Sequence, residues 1–235
     1  MLDETTTRGR IVAAAMRLAA KKGWRRLGLD EIAAEAGVDL ADLRADFAGK
    51  TAILEAFSAE VDRALLRKVR PNPQDGIRDR LFDIVMTRLE VLAPHKEALK
   101  RIAADMRRDP LLALGLCGPS LRAKYWMLTA AGVRPDSRAG CLRMPQLAAA
   151  VACAVPVWLD DDDPGMARTM ATLDRQLRRG ERVVDLAEEA CAVADRLVRT
   201  FGRRRRTDDT AEARAPSDQQ APPPGAQPSA EPPLA

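Results

Sequence analysis

Four basic side chains near the amino terminus have types and spacing that suit contact with a nucleic acid. The guanidinium group of Arg44 can hold a phosphate or pair with the O6 and N7 atoms of guanine. Lys50, with the backbone N–H groups beside it, would form a positive helix end that suits one phosphate. Arg8 and Arg10 precede the first predicted helix, where an arm can follow a DNA backbone. These residues predict a DNA-binding surface.

Acidic side chains lie among these donors and oppose that chemistry. Asp39, Asp42 and Asp46 share the same short stretch, and a carboxylate is repelled by phosphate, although it can accept a hydrogen bond from N4 of cytosine. Residues 1–70 hold 13 Lys and Arg against 11 Asp and Glu, a net charge of +2, and the whole chain has a net charge of only +4. Local geometry, and not bulk charge, must therefore support a DNA-binding function.

The elements that would position these residues are helices. One short helix is predicted over Asp30–Ala36, ended by Gly37, and another over Leu40–Phe47, with Asp39 as its N-cap. A longer helix before this pair is predicted from its apolar spacing, with Thr5, Thr6 and Thr7 as possible caps and Gly23 as its stop. Another long helix follows the pair, from about Lys50 to Val69. Two short helices that meet across a glycine turn are typical of a helix-turn-helix, whose second helix enters the DNA major groove. The residues predicted to pack beneath them are Ile32, Ala33, Ala36, Val38, Leu43 and Phe47.

These residues resemble the amino-terminal domain of the TetR family of transcriptional regulators over about residues 8 to 60. The resemblance rests on Asp30-Glu-Ile-Ala-Ala-Glu-Ala-Gly-Val38, on Leu43, Phe47 and Lys50, and on Leu54-Glu-Ala-Phe57. The sequence departs from the family pattern at two positions that normally face the DNA backbone. Arg44 stands where the family usually has an aromatic residue, and Asp46 stands where it often has a histidine.

The resemblance implies an all-α, TetR-like fold, with an amino-terminal three-helix helix-turn-helix domain and a carboxyl-terminal helical bundle. It implies a homodimeric regulator, a ligand-responsive repressor that binds double-stranded DNA and responds to an unknown small apolar ligand. The residues expected at the DNA are Asp39, Leu40, Ala41, Arg44, Ala45, Lys50 and Thr51. The residues expected at the ligand are Met127, Ala150, Cys153 and Trp158.

Composition and periodicity favour helices along the rest of the chain. Of the 235 residues, 46% are apolar and only 3% aromatic, a mix that favours packed helices over sheets. The apolar spacing predicts helices to about Phe201. One of them is disturbed at Gly118 and Pro119 but continues to Gly132, and the last two run from about Pro164 to Arg179 and from Glu181 to Phe201. The predicted divisions are residues 1–49 as the DNA-binding domain, 50–70 as a connecting helix, 71–202 as the ligand-binding and dimerisation domain, and 203–235 as a disordered, basic and then Pro-rich tail.

Two apolar helices in the second half leave a second function open. The segment from Leu142 to Trp158 is predicted to be central and buried, and the last helix to end at Phe201 before Arg203–Arg206. Residues 77–200 also resemble a TetR-fold family of lipid-binding accessory proteins of ubiquinone biosynthesis, through the stretches Val157–Pro164 and Thr169–Arg175. In that alternative the protein does not bind DNA, and its last helix rests on an anionic membrane as a peripheral contact.

The remaining reactive residues favour neither an enzyme nor a metal protein. His95 has no Ser, Cys or acid at nucleophile spacing, and the run Asp160–Asp163 has no complementary acid or His cluster, so no catalytic residue, metal or cofactor is predicted. The four cysteines are far apart and lie among Ala, Val and Leu, so they are predicted to be reduced core thiols. A secretory signal is not evident at the start, and the predicted location is the cytoplasm.

Overall fold

The computed structural model describes residues 3–184, 186 and 189, and every regular element in this part of the chain is helical. In chain order these are α1 (Thr7–Lys22), α2 (Leu29–Ala36), α3 (Leu40–Asp46), α4 (Lys50–Lys68), α5 (Ile77–Leu92), α6 (Lys96–Met106), α7 (Pro110–Ala130), α8 (Arg138–Leu159) and α9 (described over 167–184), with a 3-10 turn at Ala93–His95. The chain as far as Glu189 forms one compact unit. The predicted all-α fold is confirmed.

The ends of α1 are set by local sequence. The Oγ1 atom of Thr6 accepts a hydrogen bond from the N–H of Gly9 at 3.0 Å, which satisfies one of the free donors at the helix start. Gly23 has a φ of 82°, which glycine adopts without strain, and its N–H bonds to the carbonyl of Ala19. The predicted start and stop of this helix are confirmed.

The turn between α2 and α3 is the tight glycine turn expected from the sequence. Gly37 has left-handed backbone angles, with a φ of 66°. Asp39 then caps α3, because its carboxylate accepts the N–H of Asp42 at 2.7 Å. These two features fix the relative directions of the two short helices, and the helix-turn-helix is confirmed.

The first hydrophobic core encloses α1. Residues 11–16 of this helix are all at most 4% exposed, and α1 packs against α2, α3, α4 and α6. Trp24, Ile32, Leu43, Phe47 and Phe57 fill the space around it, and α6 contributes Ala98 and Ile102. The apolar residues predicted beneath the two short helices belong to this core, with Val38 at its partly exposed edge.

The second core lies among the later helices and contains a buried polar cluster. Leu65 near the end of α4, with apolar residues of α5, α7, α8 and α9, forms this core, so α4 contributes to both cores. Asp62 and Arg88 form a buried ion pair. The Lys124 ammonium donates to the carbonyl and hydroxyl oxygens of Ser120 at 3.1 and 2.6 Å. Burial, and then the charge of Arg88, lowers the pKa of Lys124 to about 8.

The predicted disturbance at Gly118 and Pro119 does not interrupt α7, and the predicted helix end near Gly180 does not occur. α7 continues through Pro119, whose side chain is buried, so packing offsets the single N–H donor that proline removes. α9 continues through Gly180, where a Cβ atom would lie only 2.2 Å from Cγ of Gln146 on α8. This glycine therefore serves a close helix approach rather than a helix end. Of the predicted last helix from Glu181 to Phe201, residues 181–184, 186 and 189 are described and are helical, and the rest lies outside the described residues, as do Arg203–Arg206 and the Pro-rich tail.

α8 differs from the central, fully buried helix that was expected. One face packs in the second core through Leu147, Ala150, Ala154, Trp158 and Leu159, and the other is exposed through Cys141, Pro145, Ala149, Ala152, Cys153 and Pro156. Among the described helices, α8 is the one long and apolar enough to cross a membrane, a test that core helices also pass.

The prediction that the cysteines are core thiols is wrong for the three that are described. Cys117, Cys141 and Cys153 are free but exposed, because their helices turn these positions away from the cores. Apolar neighbours in the sequence do not show which side of an apolar helix is buried. Cys191 lies outside the described residues.

Candidate nucleic-acid interface

The exposed side of α3 brings together four of the residues predicted at the DNA. Leu40, Ala41, Arg44 and Ala45 are all exposed, and their spacing places them on one face of the helix. Leu43 is buried on the opposite side. Leu40 is 54% exposed. The result is a small apolar surface with one cation in it.

Arg44 is the cation of this surface. Its side chain is exposed, and no hydrogen bond or ion pair ties its guanidinium to another residue in the part of the chain that the structure describes. It also lies in the last turn of α3. The guanidinium is therefore free for phosphate or for a guanine edge, while the apolar residues beside it suit the methyl group of thymine.

The Asp39 carboxylate has a structural role. It accepts the N–H of Asp42, so its charge lies at the positive amino-terminal end of α3. Asp42 and Asp46 add two more carboxylates to this short helix. The surface of α3 thus carries more negative than positive charge, which weakens attraction to a duplex relative to a basic recognition helix.

Lys50 was expected to contact a DNA phosphate, but its ammonium group is engaged within the protein. Its ammonium group donates to the backbone carbonyls of Trp24 and Leu27, both at 2.7 Å, and lies 5.3 Å from the centre of the Trp24 ring. Burial lowers the pKa of Lys50 below its usual value, and the charge of Asp105 acts in the opposite direction. The side chain therefore joins the start of α4 to the loop between α1 and α2.

The first turn of α4 retains free backbone donors. Its N-cap residue is Gly49, so no side chain caps the helix start, and Thr51 in the first turn is exposed. Such a helix start is a site for one phosphate. On its other side Thr51 meets α7, because a Cβ atom on Gly115 would lie 3.3 Å from Cγ2 of Thr51. The start of α4 thus lies between the helix-turn-helix and α7.

Arg8 supports the end of α3. Its Nη1 atom donates to the carbonyl of Asp46 at 3.1 Å, and its guanidinium carbon lies 4.6 Å from the centre of the Phe47 ring. Arg8 and Arg10 were expected on an arm before the first helix, and this prediction is wrong, because α1 begins at Thr7 and contains both residues. The contact joins residues that are 38 positions apart, so the neighbouring sequence does not predict it.

The four residues predicted at the ligand do not form a single surface. Met127, Ala150 and Trp158 are at most 2% exposed within the second core. Cys153 is on the exposed side of α8. Within the described residues, no group of three or more His, Cys, Asp or Glu side chains could hold a metal ion.

Comparison with known proteins agrees with this arrangement. Residues 11–57 match the family model described as bacterial regulatory proteins, tetR family. This segment covers most of α1, all of α2 and α3, and the first part of α4. No curated protein is similar in sequence to this chain at a significant level. The resemblance of the helix-turn-helix segment to TetR family transcriptional regulators is confirmed.

Solved structures share the fold beyond that segment. A TetR transcriptional regulator from Nitrosomonas europaea is 20% identical, with a TM-score of 0.60 over 75% of this chain and 98% of that chain. Regulators of the same family from Rhodococcus sp. RHA1 and Streptomyces coelicolor are 19% and 18% identical, both with TM-scores of 0.53. These matches cover 74% and 88% of this chain, and 94% and 98% of the others. The chain has the TetR-like fold.

Proposed function

We propose that this protein is a TetR-type transcriptional regulator that binds double-stranded DNA through α3 and the start of α4. The observation that carries the proposal is the exposed face of α3, where Arg44 lies free among Leu40, Ala41 and Ala45 in a confirmed helix-turn-helix. Asp39 is the N-cap of α3, and Thr51 lies in the first turn of α4. Lys50 acts as a positioning residue, because its ammonium holds the loop before α2. The proposal includes no enzymatic activity.

The chemistry of this surface suggests what a half-site would contain. The Arg44 guanidinium suits guanine or a phosphate, and the side chains of Leu40, Ala41 and Ala45 suit thymine methyl groups. No second cation accompanies Arg44 on α3. We therefore expect a few base contacts in each half-site, with much of the affinity coming from backbone amides at the start of α4.

We propose that the protein acts as a homodimer through α8. A single helix-turn-helix buries too little surface for tight, specific binding, and paired copies read half-sites about 34 Å apart. The exposed side of α8 is apolar, and Met170 of α9 is also exposed. An apolar surface of this kind suits a second copy of the chain. A regulator of this type acts in the cytoplasm.

We also propose that the protein is a repressor that responds to a small apolar ligand held among the later helices. The support is chemical, since Met127, Ala150 and Trp158 lie in an apolar core. Lys124 adds one ammonium with a lowered pKa to that region, so a ligand with an acceptor oxygen has a donor to meet. Ligand release of DNA is the expected response.

A TetR-fold lipid-binding accessory protein of ubiquinone biosynthesis is the second candidate. The observation in its favour is the same exposed apolar side of α8, which suits an apolar lipid tail or a membrane surface as well as a second copy. Flotation of the full chain with anionic liposomes would support this candidate, whereas absence of flotation together with sequence-specific DNA binding would exclude it.

The experiment that tests the regulator function is selection of bound duplexes from random or genomic DNA by the full chain. We expect a palindrome, bound by wild type and by the matched control Arg122→Ala, whose exposed arginine lies on α7. Arg44→Ala should weaken binding of the palindrome by about 1–3 kcal/mol. Equal retention of all duplexes at low salt would contradict the proposed function.

A further inference from the structure

A cleft of 530 Å³ lies between the end of α1, the loop that follows it, and α6. It is separate from the exposed face of α3. Arg8 contacts the end of α3, and Lys22 in the cleft lies 14 residues further along α1, about 21 Å at 1.5 Å per residue. The lining residues are Lys22, Gly23, Arg25, Arg26, Arg101, Ala104, Asp105 and Arg108. One wall of the cleft therefore comes from the end of α1 and the loop before α2, and the other comes from α6 and Arg108, which follows it.

The charge of this cleft is strongly positive. Five of its eight lining residues are cations, and two of these already have partners: Lys22 pairs with Glu31 at 2.6 Å, and Arg101 pairs with Glu97 at 3.0 Å. The other three, Arg25, Arg26 and Arg108, have no ion-pair or side-chain hydrogen-bond partner among the residues that the structure describes.

The single carboxylate in the cleft is engaged by the backbone. Oδ2 of Asp105 accepts the N–H of Arg25 at 3.0 Å, and it lies 3.2 Å from the place where a Cβ atom on Gly23 would be. Asp105 therefore holds the loop after α1 in place against α6. It neutralises one positive charge at most, so the three free guanidinium groups leave a net positive cleft.

From this geometry we propose that the cleft binds a small polyanion that carries phosphate groups. The planar guanidinium fork pairs with two phosphate oxygens at once, and three such forks match an anion with several charges better than a single carboxylate. The volume of 530 Å³ lies within the range of roughly 300–1,000 Å³ that is typical of small-molecule sites. No aromatic side chain lines the cleft, so recognition rests on the phosphate groups and not on stacking.

This site would have a direct effect on the DNA-binding domain. Arg25 and Arg26 belong to the loop whose carbonyls, at Trp24 and Leu27, are held by Lys50. An anion that bridges this loop and Arg108 would tie α6 to the start of the helix-turn-helix. The binding site itself does not depend on the proposed regulator function, and its calorimetric test needs no DNA.

The test is calorimetric titration of the full chain with sodium diphosphate in a low-salt buffer without DNA or divalent metal. We expect saturable binding by wild type and by the control Arg122→Gln, an exposed arginine on α7. Arg25→Gln, Arg26→Gln and Arg108→Gln should each weaken binding roughly tenfold, and the triple variant should lose it. All three side chains are exposed, so the variants should keep the wild-type circular dichroism and thermal midpoint.

Two results would overturn the proposal. One is the absence of saturable diphosphate binding by wild type, or equal binding by wild type and the triple variant. The other comes from the salt dependence of duplex binding, where each lost phosphate contact flattens the plot of log affinity against log salt by about 0.9. A flatter slope in the triple variant would show that these arginines contact phosphates of the DNA backbone. An unchanged slope would support a separate anion site.

Discussion

The structure predicts that Lys50 stabilises the fold of the DNA-binding domain, which the variant Lys50→Met tests. Methionine keeps an unbranched apolar stem of similar length and removes the ammonium group. The variant therefore loses two hydrogen bonds of 2.7 Å, to the carbonyls of Trp24 and Leu27, and the contact with the Trp24 ring. It leaves the rest of α4 unchanged.

The expected loss follows from the type of these bonds. A hydrogen bond with one charged partner contributes about 1.5–3 kcal/mol, so two of them give about 3–6 kcal/mol before any offset. Burial of the ammonium, which lowers its pKa, opposes part of this gain. Water can also reach the two carbonyls once the ammonium is gone. We expect the free energy of unfolding to fall by about 2–3 kcal/mol.

The assay is urea unfolding at pH 7, followed by far-ultraviolet circular dichroism and by tryptophan fluorescence. The matched control is Arg44→Gln, which removes an exposed cation without a described partner and should stay within about 0.5 kcal/mol of wild type. Duplex binding separates the two residues further, since Arg44→Gln should flatten the salt slope by about 0.9 and Lys50→Met should not. Unchanged stability of Lys50→Met with a flattened slope would refute this reasoning.

Three further predictions concern the later helices. The pKa of Lys124 is lowered to about 8, so above this pH the unfolded state binds more protons than the folded state does. The unfolding free energy of wild type should therefore rise between about pH 8 and pH 10, by up to about 3 kcal/mol relative to that of Lys124→Met. Parallel denaturation curves of the two proteins measure this difference. Ala149→Arg places a charge on the exposed side of α8 and should dissociate the proposed dimer in sedimentation velocity with helix content intact; a monodisperse dimeric variant would contradict the α8 interface. Gly180→Ala should destabilise the protein by about 1 kcal/mol, because its Cβ displaces Gln146. In a Gln146→Ala background the same substitution should stabilise the protein by about 1 kcal/mol, because alanine has a higher helix propensity than glycine. The same sign in both backgrounds would contradict the packing role.

Elements defined by neighbouring residues could be predicted from the sequence. The cap at Thr6, the stops at Gly23 and Gly37 and the cap at Asp39 are local devices, and the structure contains all four. The exposed position of Arg44 also follows from helical spacing once Leu43 is assigned to the core. These interactions span at most four residues, so the sequence pattern contains the whole cause.

Features that depend on distant residues could not be predicted in this way. The role of Lys50 depends on carbonyls 26 and 23 positions earlier, and a carbonyl is present at every residue, so no residue type marks it. The helix through Gly180 depends on the approach of Gln146 from α8. For α8 itself, both sides are apolar, so the pattern lacks the polar face that would show which side is buried.

The burial of α1 has a consequence for the kinetics of amide exchange. Residues 11–16 are consecutive and all buried, so around the middle of the helix every direction is occupied by protein. The amide hydrogens of Ala14 and Ala15 then have no local opening through which water can reach them, and they should exchange with deuterium only when the whole domain unfolds. Amides of the short helix α3, which buries only Leu43 within its own span, should exchange far sooner. The slowest amides of α1 therefore provide a measurement of global stability under native conditions, without denaturant.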